Sequence, residues 1–116
     1  MAHFGIFSND KDVFTEFDTA YDRDINILIA YYGDESYEGS AYVLFMKDGK
    51  LYEVCAGHCS CFGLEGQWDP EETSWDVIDT YVDEGSLPYM WGLDGPEITN
   101  VLQSFKQLQN LRIILE

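Results

Sequence analysis

The sequence predicts an α+β fold in which an antiparallel sheet of three to four strands, with a hairpin at its centre, packs against two to three helices. Two β-rich runs flank an Asp-Gly pair in the middle of the chain, and apolar residues recur at helical spacing in three other segments. The chain has 116 residues, of which 46% are hydrophobic and 16% aromatic, so it can bury a core. We expect a single domain over residues 1–116.

The amino-terminal third is predicted to contain the first helix and the first strand. The helix covers about residues 11–21, with Asp10 as its cap. Its apolar residues follow a helical period: Val13, Phe14, Phe17 and Tyr21. Residues 25–33, INILIAYYG, are β-branched and aromatic and end at Gly33, which predicts a buried strand.

A β-hairpin over residues 40–56 has the clearest sequence pattern. Its two strands meet at KDGK, and Asp-Gly favours a type I′ turn because both central residues need a positive φ. Every residue from 42 to 46 is apolar, so we expect both faces of this strand to be covered. A loop punctuated by glycines follows, over residues 57–68.

Two more helices are predicted in the carboxy-terminal half. One covers residues 69–85, with Asp69 as cap, proline in the first helical position and Gly85 at the end. The other covers residues 95–111 and also opens with proline. The segment between them, 86–93, is interpreted as a short edge strand or an aromatic loop, and the final RIILE as a short strand.

Charge is the strongest compositional signal. Six basic residues stand against 22 acidic residues, for a net charge of −16. Phosphate contacts require Lys and Arg, so direct binding of nucleic acid or of an anionic membrane is not expected. A basic protein surface is the partner that such a field attracts. The amino terminus lacks the basic region of a secretory signal, and the expected location is the cytoplasm.

Four acids are predicted to form one stripe on the outer face of the 69–85 helix: Glu72, Asp76, Asp79 and Asp83. Like charges at this spacing repel one another, and no Lys or Arg in the segment relieves them. Glu84 adds a charge near the helix end, where the macrodipole disfavours anions. The pattern indicates either a solvated face or a surface that mimics a nucleic-acid backbone. Tyr89 and Trp91 in the next segment are candidate aromatic anchors for a partner.

Three cysteines and a histidine lie within seven positions: Cys55, His58, Cys59 and Cys61. Tetrahedral zinc takes four such ligands, so the segment is a candidate zinc site. A reactive thiol would need a base positioned by the fold. A structural turn is the favoured interpretation, because zinc sites usually combine two separated ligand pairs and buried cysteines are common.

Residues 37–75 resemble a segment found in small uncharacterised bacteriophage and prophage proteins. The matching parts are YEGSAYVLF, DGKLYEV, HCSC, GLEGQW and PEET. The resemblance covers about a third of the chain. It implies a phage context, with the cytoplasm of a host bacterium as the location, and it implies no activity, cofactor or site residue.

The leading hypothesis is a non-enzymatic phage inhibitor that mimics nucleic acid. It would bind a basic, nucleic-acid-binding surface of a host defence protein, such as a restriction or CRISPR effector. One alternative is a small zinc-binding protein that uses residues 55–61. Another is an accessory or scaffolding module without mimicry. We expect a monomer or a homodimer, the latter through residues 86–93.

Overall fold

The computed structural model describes residues 2–35, 38–59 and 63–115. A five-stranded mixed sheet lies at its centre, with the strands in chain order across the sheet. The strands are β1 (Ala2–Gly5), β2 (Asn26–Glu35), β3 (Glu38–Lys47), β4 (Lys50–His58) and β5 (Glu71–Thr73). Strand β1 runs parallel to β2, and every other neighbouring pair is antiparallel.

Helices cover both faces of the sheet, which confirms the predicted α+β class. They are α1 (Asp10–Glu16), α2 (Trp75–Glu84), α3 (Gly95–Asn110) and α4 (Arg112–Leu115). Helix α1 packs on one face, which we call the α1 face, and α2 and α3 pack on the other, the α2–α3 face. Within the ranges that the structure describes, none of the helices has the length and apolarity needed to cross a membrane.

Each face of the sheet has its own apolar core, as the uninterrupted apolar run at 42–46 predicts. On the α1 face, alternate residues of the strands meet Val13 and Phe14 of α1. On the α2–α3 face, Tyr31 stacks on Tyr42 with ring centroids 5.3 Å apart, beneath Phe105 of α3. The pairing register shifts between Ile27 and Ile29, a bulge that increases local twist in β2.

The predicted sheet of three to four antiparallel strands needs two corrections, both at its edges. Strand β1 was not predicted, because AHFG has only four residues and its partner in β2 lies more than twenty residues away in the chain. Strand β5 was not predicted either, because Glu71–Thr73 is short and polar. Its three residues are strand because they pair with Leu51–Glu53 of β4.

Two helix starts and the carboxy-terminal segment also differ from prediction. Helix α1 is capped by Asn9 instead of Asp10 and ends at Glu16, so Tyr21 lies beyond it with 67% of its surface exposed. Helix α2 begins at Trp75 with Ser74 as its cap, because residues 71–73 are extended against β4. The predicted strand in RIILE is wrong, since residues 112–115 continue as the short helix α4.

The hairpin and the ends of the larger helices follow the sequence signals. Asp48 and Gly49 have φ values of 53° and 77°, the positive values that a type I′ turn requires. Gly85 ends α2 with a φ of 63°. Helix α3 begins after the cap Asp94, with proline in its first turn.

Candidate interaction surfaces

The acids predicted as one helical stripe lie on two elements. Glu72 is on β5 instead of on a helix, and Asp76, Asp79 and Asp83 are on α2. Glu84 is the last residue of α2. The stripe therefore continues onto the edge strand of the sheet, where Glu71 and Glu72 are both exposed.

Asp79 faces α3 and is not a free acid. Its carboxylate accepts a hydrogen bond of 2.7 Å from the Gln109 side chain. Arg112 Nη1 lies 3.5 Å from the same carboxylate, and the guanidinium lies over the Trp75 ring at 5.5 Å from its centroid. Asp79 thus joins α2 to the end of α3, and we exclude it from the candidate contact surface.

The remaining exposed acids form what we call the acidic edge: Glu71, Glu72, Asp76, Asp83 and Glu84. The one ion pair that the described residues give this edge joins Glu72 to Lys50 at 3.9 Å, and both side chains are 60% exposed. An exposed pair at that distance contributes little to stability. The edge therefore keeps most of its negative charge.

The sheet itself also places acids opposite one another. Glu35 pairs with Glu38 across β2 and β3, and Glu53 pairs with Glu71 across β4 and β5. Directly opposed like charges destabilise a sheet. The Glu53 carboxylate is held by hydroxyl groups, since it accepts hydrogen bonds of 2.9 Å from Tyr42 and 3.1 Å from Tyr81.

Residues 86–93 form an irregular loop that exposes two aromatic side chains, and we call it the aromatic loop. Tyr89 is 50% and Trp91 57% exposed. The loop backbone is held from the sheet: the Tyr31 hydroxyl donates to the carbonyl of Pro88, and the Ser40 hydroxyl to that of Tyr89 at 2.7 Å. These contacts show that the segment is a loop and not the alternative edge strand.

Close backbone contact fixes the same loop against β2. A Cβ atom on Gly33 would lie 2.4 Å from the Trp91 carbonyl oxygen, and one on Gly92 would lie 2.4 Å from the Asp34 nitrogen. Tyr89 has a φ of 55°, a conformation that costs a non-glycine residue energy unless its surroundings enforce it. The two aromatic side chains therefore project from a backbone that is already ordered.

The four candidate zinc ligands do not form one described cluster. Cys55 pairs with Tyr42 on the α2–α3 face, whereas His58 packs edge-on against Tyr32, of the α1 face, at 5.3 Å. Cys55 and His58 therefore lie on opposite sides of the sheet. Cys61 is outside the described residues. Among residues 2–35, 38–59 and 63–115, no three His, Cys, Asp or Glu side chains are placed to hold a metal.

The surroundings of Cys55 do not favour a reactive thiol, and those of His58 do not position it as a base for one. Burial, together with the carboxylates of Glu53 and Glu71, raises the pKa of the Cys55 thiol to about 11, which disfavours the thiolate needed for nucleophilic attack. His58 Nε2 is buried 3.3 Å from a carboxylate oxygen of Asp34, but it makes no aligned hydrogen bond with a described residue.

Several residues that shape these surfaces were not identified from the sequence. Ser40 and Tyr31 hold the aromatic loop, and Tyr81 holds Glu53, but each comes from a segment far from its partner in the chain. Gly33 was interpreted as a strand end, although it lies inside β2 and serves close packing. Its position in an otherwise apolar run was the one available signal.

Comparisons with protein-family models, with curated proteins and with solved structures found no match for this chain.

Proposed function

We propose that this chain is a non-enzymatic phage protein that inhibits a host defence protein by covering its basic, nucleic-acid-binding surface. The observation that carries the proposal is the acidic edge, where, among residues 2–35, 38–59 and 63–115, five exposed carboxylates have one weak ion pair, between Glu72 and Lys50. In such a field a Lys- and Arg-rich groove is the complementary surface, and long-range attraction speeds association.

The cost of the acids supports a role beyond solvation. Glu84 stands at the carboxyl end of α2, where the helix dipole disfavours an anion by about 0.3–1 kcal/mol. Glu71 stands directly opposite Glu53, and Glu35 opposite Glu38. A surface selected for solubility alone has no need of acids at these unfavourable positions.

The aromatic loop supplies what a purely electrostatic surface lacks. It follows α2 in the chain and exposes two large apolar side chains, Tyr89 and Trp91. Aromatic residues that are ordered before binding lose little entropy in a complex and are typical interface anchors. The phage context is part of the proposal and rests on the resemblance of residues 37–75, from which we expect a partner in a host bacterium.

A binding experiment with charge-reversed variants tests the proposal. The immobilised protein is exposed to host lysate, captured proteins are eluted with duplex DNA or with salt, and mass spectrometry identifies them. We expect to capture a basic nucleic-acid-binding protein. Duplex DNA should release it by competing for its basic groove, and salt should release it by screening its contact with the acidic edge. The triple variant Glu72→Lys, Asp76→Lys, Asp83→Lys should lose that protein.

The matched control carries the same charge change on the α1 face. Glu16→Lys, Asp18→Lys and Glu65→Lys alter three exposed acids away from α2 and β5. Capture should survive in this control, and Trp91→Ala should weaken it. Equal loss in both triple variants would mean that net charge acts without a defined surface. Absence of any partner at low salt would contradict the proposal.

A further inference from the structure

A cavity lies on the α1 face beside the β3–β4 turn. Unlike the acidic edge, it is lined by aromatic as well as charged side chains. Its volume is about 380 Å³, within the range of sites that bind a small group. The residues that line it include Asp22, Phe45, Lys47, Asp48, Tyr52 and Trp68. We call it the aromatic pocket.

Three parallel aromatic rings form the apolar part of the pocket. Tyr52 stacks on Phe45 with centroids 5.4 Å apart and planes 20° apart, and Trp68 stacks on Phe45 at 5.7 Å and 11°. Trp68 also contacts the rings of Phe17 and Phe14, with centroids 5.1 Å and 5.7 Å away. Phe45 is buried, whereas Tyr52 and Trp68 are half-buried and lie within reach of a ligand. The rings are held by one another and need no rearrangement.

The rim of the pocket is negatively charged. Lys47 Nζ lies 2.8 Å from an Asp22 carboxylate oxygen. The pKa of Lys47 is raised first by that hydrogen bond and then by the charges of Asp22, Asp48 and Asp24. Two carboxylates, of Asp22 and Asp48, line the pocket with the one ammonium group of Lys47, so the rim keeps a net negative charge that attracts a further cation.

We propose that the aromatic pocket receives an arginine side chain of a basic protein partner. A guanidinium group is planar, so it can stack on the half-buried ring of Tyr52, beside Trp68, while it donates hydrogen bonds to the rim carboxylates. A lysine ammonium is compact and strongly hydrated, and gains less from flat rings. The inference rests on the proposed function, because it names the group by which a basic partner is held.

The pocket can be tested without the partner, by titrating the ¹⁵N-labelled protein with acetyl-Gly-Arg-Gly-amide. The chain has three tryptophans, each with one indole N–H signal. The Trp68 signal should shift in a saturable way, while that of Trp75, which lies beneath Arg112, serves as the internal reference. The citrulline peptide, which has the shape without the charge, should leave Trp68 unmoved, and the lysine peptide should bind more weakly.

A pair of charge-neutralising variants locates the site. Asp48→Asn should weaken binding of the arginine peptide about threefold, the scale of one partly exposed charge contact. Asp18→Asn is its matched control, because Asp18 is also exposed and also has a positive φ, which asparagine tolerates. An unmoved Trp68 signal, an equal response to citrulline or lysine, or equal binding by the two variants would each overturn the inference.

The two proposals fail in different ways. If the peptide does not bind at Trp68 but the acidic-edge variants still lose a basic partner, the pocket is wrong and the proposed function stands. If the peptide binds at Trp68 but lysate yields no basic partner, the proposed function is wrong, and with it the assignment of the arginine to a partner protein.

Discussion

Cys55 shows how a side chain can be exposed and still chemically quiet. Its thiol stands on β4 with Glu53 two residues before it and Glu71 on the neighbouring strand. Burial of the sulfur and these two carboxylates raise the pKa from 9.0 to about 11. The folded protein should therefore hold about a hundredfold less thiolate at neutral pH than an unperturbed cysteine does.

We expect Cys55 to react with iodoacetamide about a hundredfold more slowly in the folded protein than in the chain unfolded in guanidinium chloride. Peptide mapping by mass spectrometry at pH 7.5 measures both rates at this one cysteine. The rate in the folded protein should climb between pH 9 and 11, as the thiol ionises. Modification as fast as in the unfolded chain would show that the surrounding carboxylates do not act on the sulfur.

The aromatic pocket marks the limit of what could be predicted at single residues. Phe45, Tyr52 and Trp68 were each recognisable as apolar, and Phe45 and Tyr52 were placed in the hairpin. Their stacking depends on the β3–β4 register, which pairs Phe45 with Tyr52, and on the return of the chain at Trp68. Spacing within one segment carries no information about such contacts.

At the scale of elements, the start of α2 depends on which residue caps the helix, Asp69 or Ser74. The sequence predicts the cap at Asp69, which is followed by proline, whereas the structure caps α2 with Ser74, whose hydroxyl accepts a hydrogen bond of 3.4 Å from the Val77 amide. The structure uses Ser74, because residues 71–73 gain ladder hydrogen bonds with β4. Tertiary pairing decided the boundary here, and helix propensity did not.

Ser74→Ala should lower the free energy of unfolding by about 1 kcal/mol, through loss of the α2 cap. Asp69→Ala is the comparison, since Asp69 is exposed and precedes both β5 and α2, and it should change stability by less than about 0.5 kcal/mol. Urea denaturation followed by circular dichroism measures both. A larger loss of unfolding free energy in Asp69→Ala than in Ser74→Ala would indicate that the helix begins after Asp69, as the sequence predicts.

Gly33→Ala should disturb the aromatic loop more than it disturbs the sheet. The new Cβ would meet the Trp91 carbonyl at 2.4 Å, so either the loop or the strand must move. We expect a loss of about 1–3 kcal/mol in unfolding free energy, as for other overpacked sites, and a shifted indole N–H signal of Trp91 in the ¹⁵N-labelled protein. Gly95→Ala, which meets no atom within 4 Å, is the control and should leave both unchanged. An unmoved Trp91 signal in Gly33→Ala would mean that the loop is not fixed by this contact.

The remaining differences between predicted and observed elements share one cause. The hairpin turn, the end of α2 and the start of α3 were predictable because Asp-Gly, Gly85 and Pro96 act on their own backbone. Strands β1 and β5 are short pieces whose state depends on a strand elsewhere. RIIL is β-branched but follows α3 without a glycine or proline to end the helical path.

For the whole molecule, two buried tyrosine hydroxyls and the partly buried sulfur of Cys55 lower stability at high pH. Burial raises the pKa of Tyr31 and of Tyr42 well above 10, and that of Cys55 to about 11. The unfolded chain releases these protons at lower pH than the folded one, so the free energy of unfolding falls as pH rises. This contribution is complete below about pH 9, the unperturbed value for the thiol, and is lost progressively above it.

Thermal melts should therefore give similar midpoints at pH 7.5 and 8.5 and a clearly lower one at pH 10.5. Tyrosinate absorbance, followed alongside, should appear together with unfolding for the buried hydroxyls. Cys55→Ser removes one contributor and should reduce the loss between pH 9 and 11. A midpoint that stays constant to pH 11 would contradict the assigned burial of these groups.

The charge on β5 also has a consequence for the association of the protein with itself. An outer strand leaves peptide groups free on one side, and such an edge can template fibre-like stacking of identical chains. A second copy meeting β5 edge to edge would bring Glu71 and Glu72 against their own counterparts. The acids that we propose bind a partner protein therefore also oppose polymerisation, because they repel the same acids of a second copy. In 1 M salt, charges are screened beyond about 3 Å, so this repulsion is weakest. Light scattering should detect assemblies of the protein first at that salt concentration.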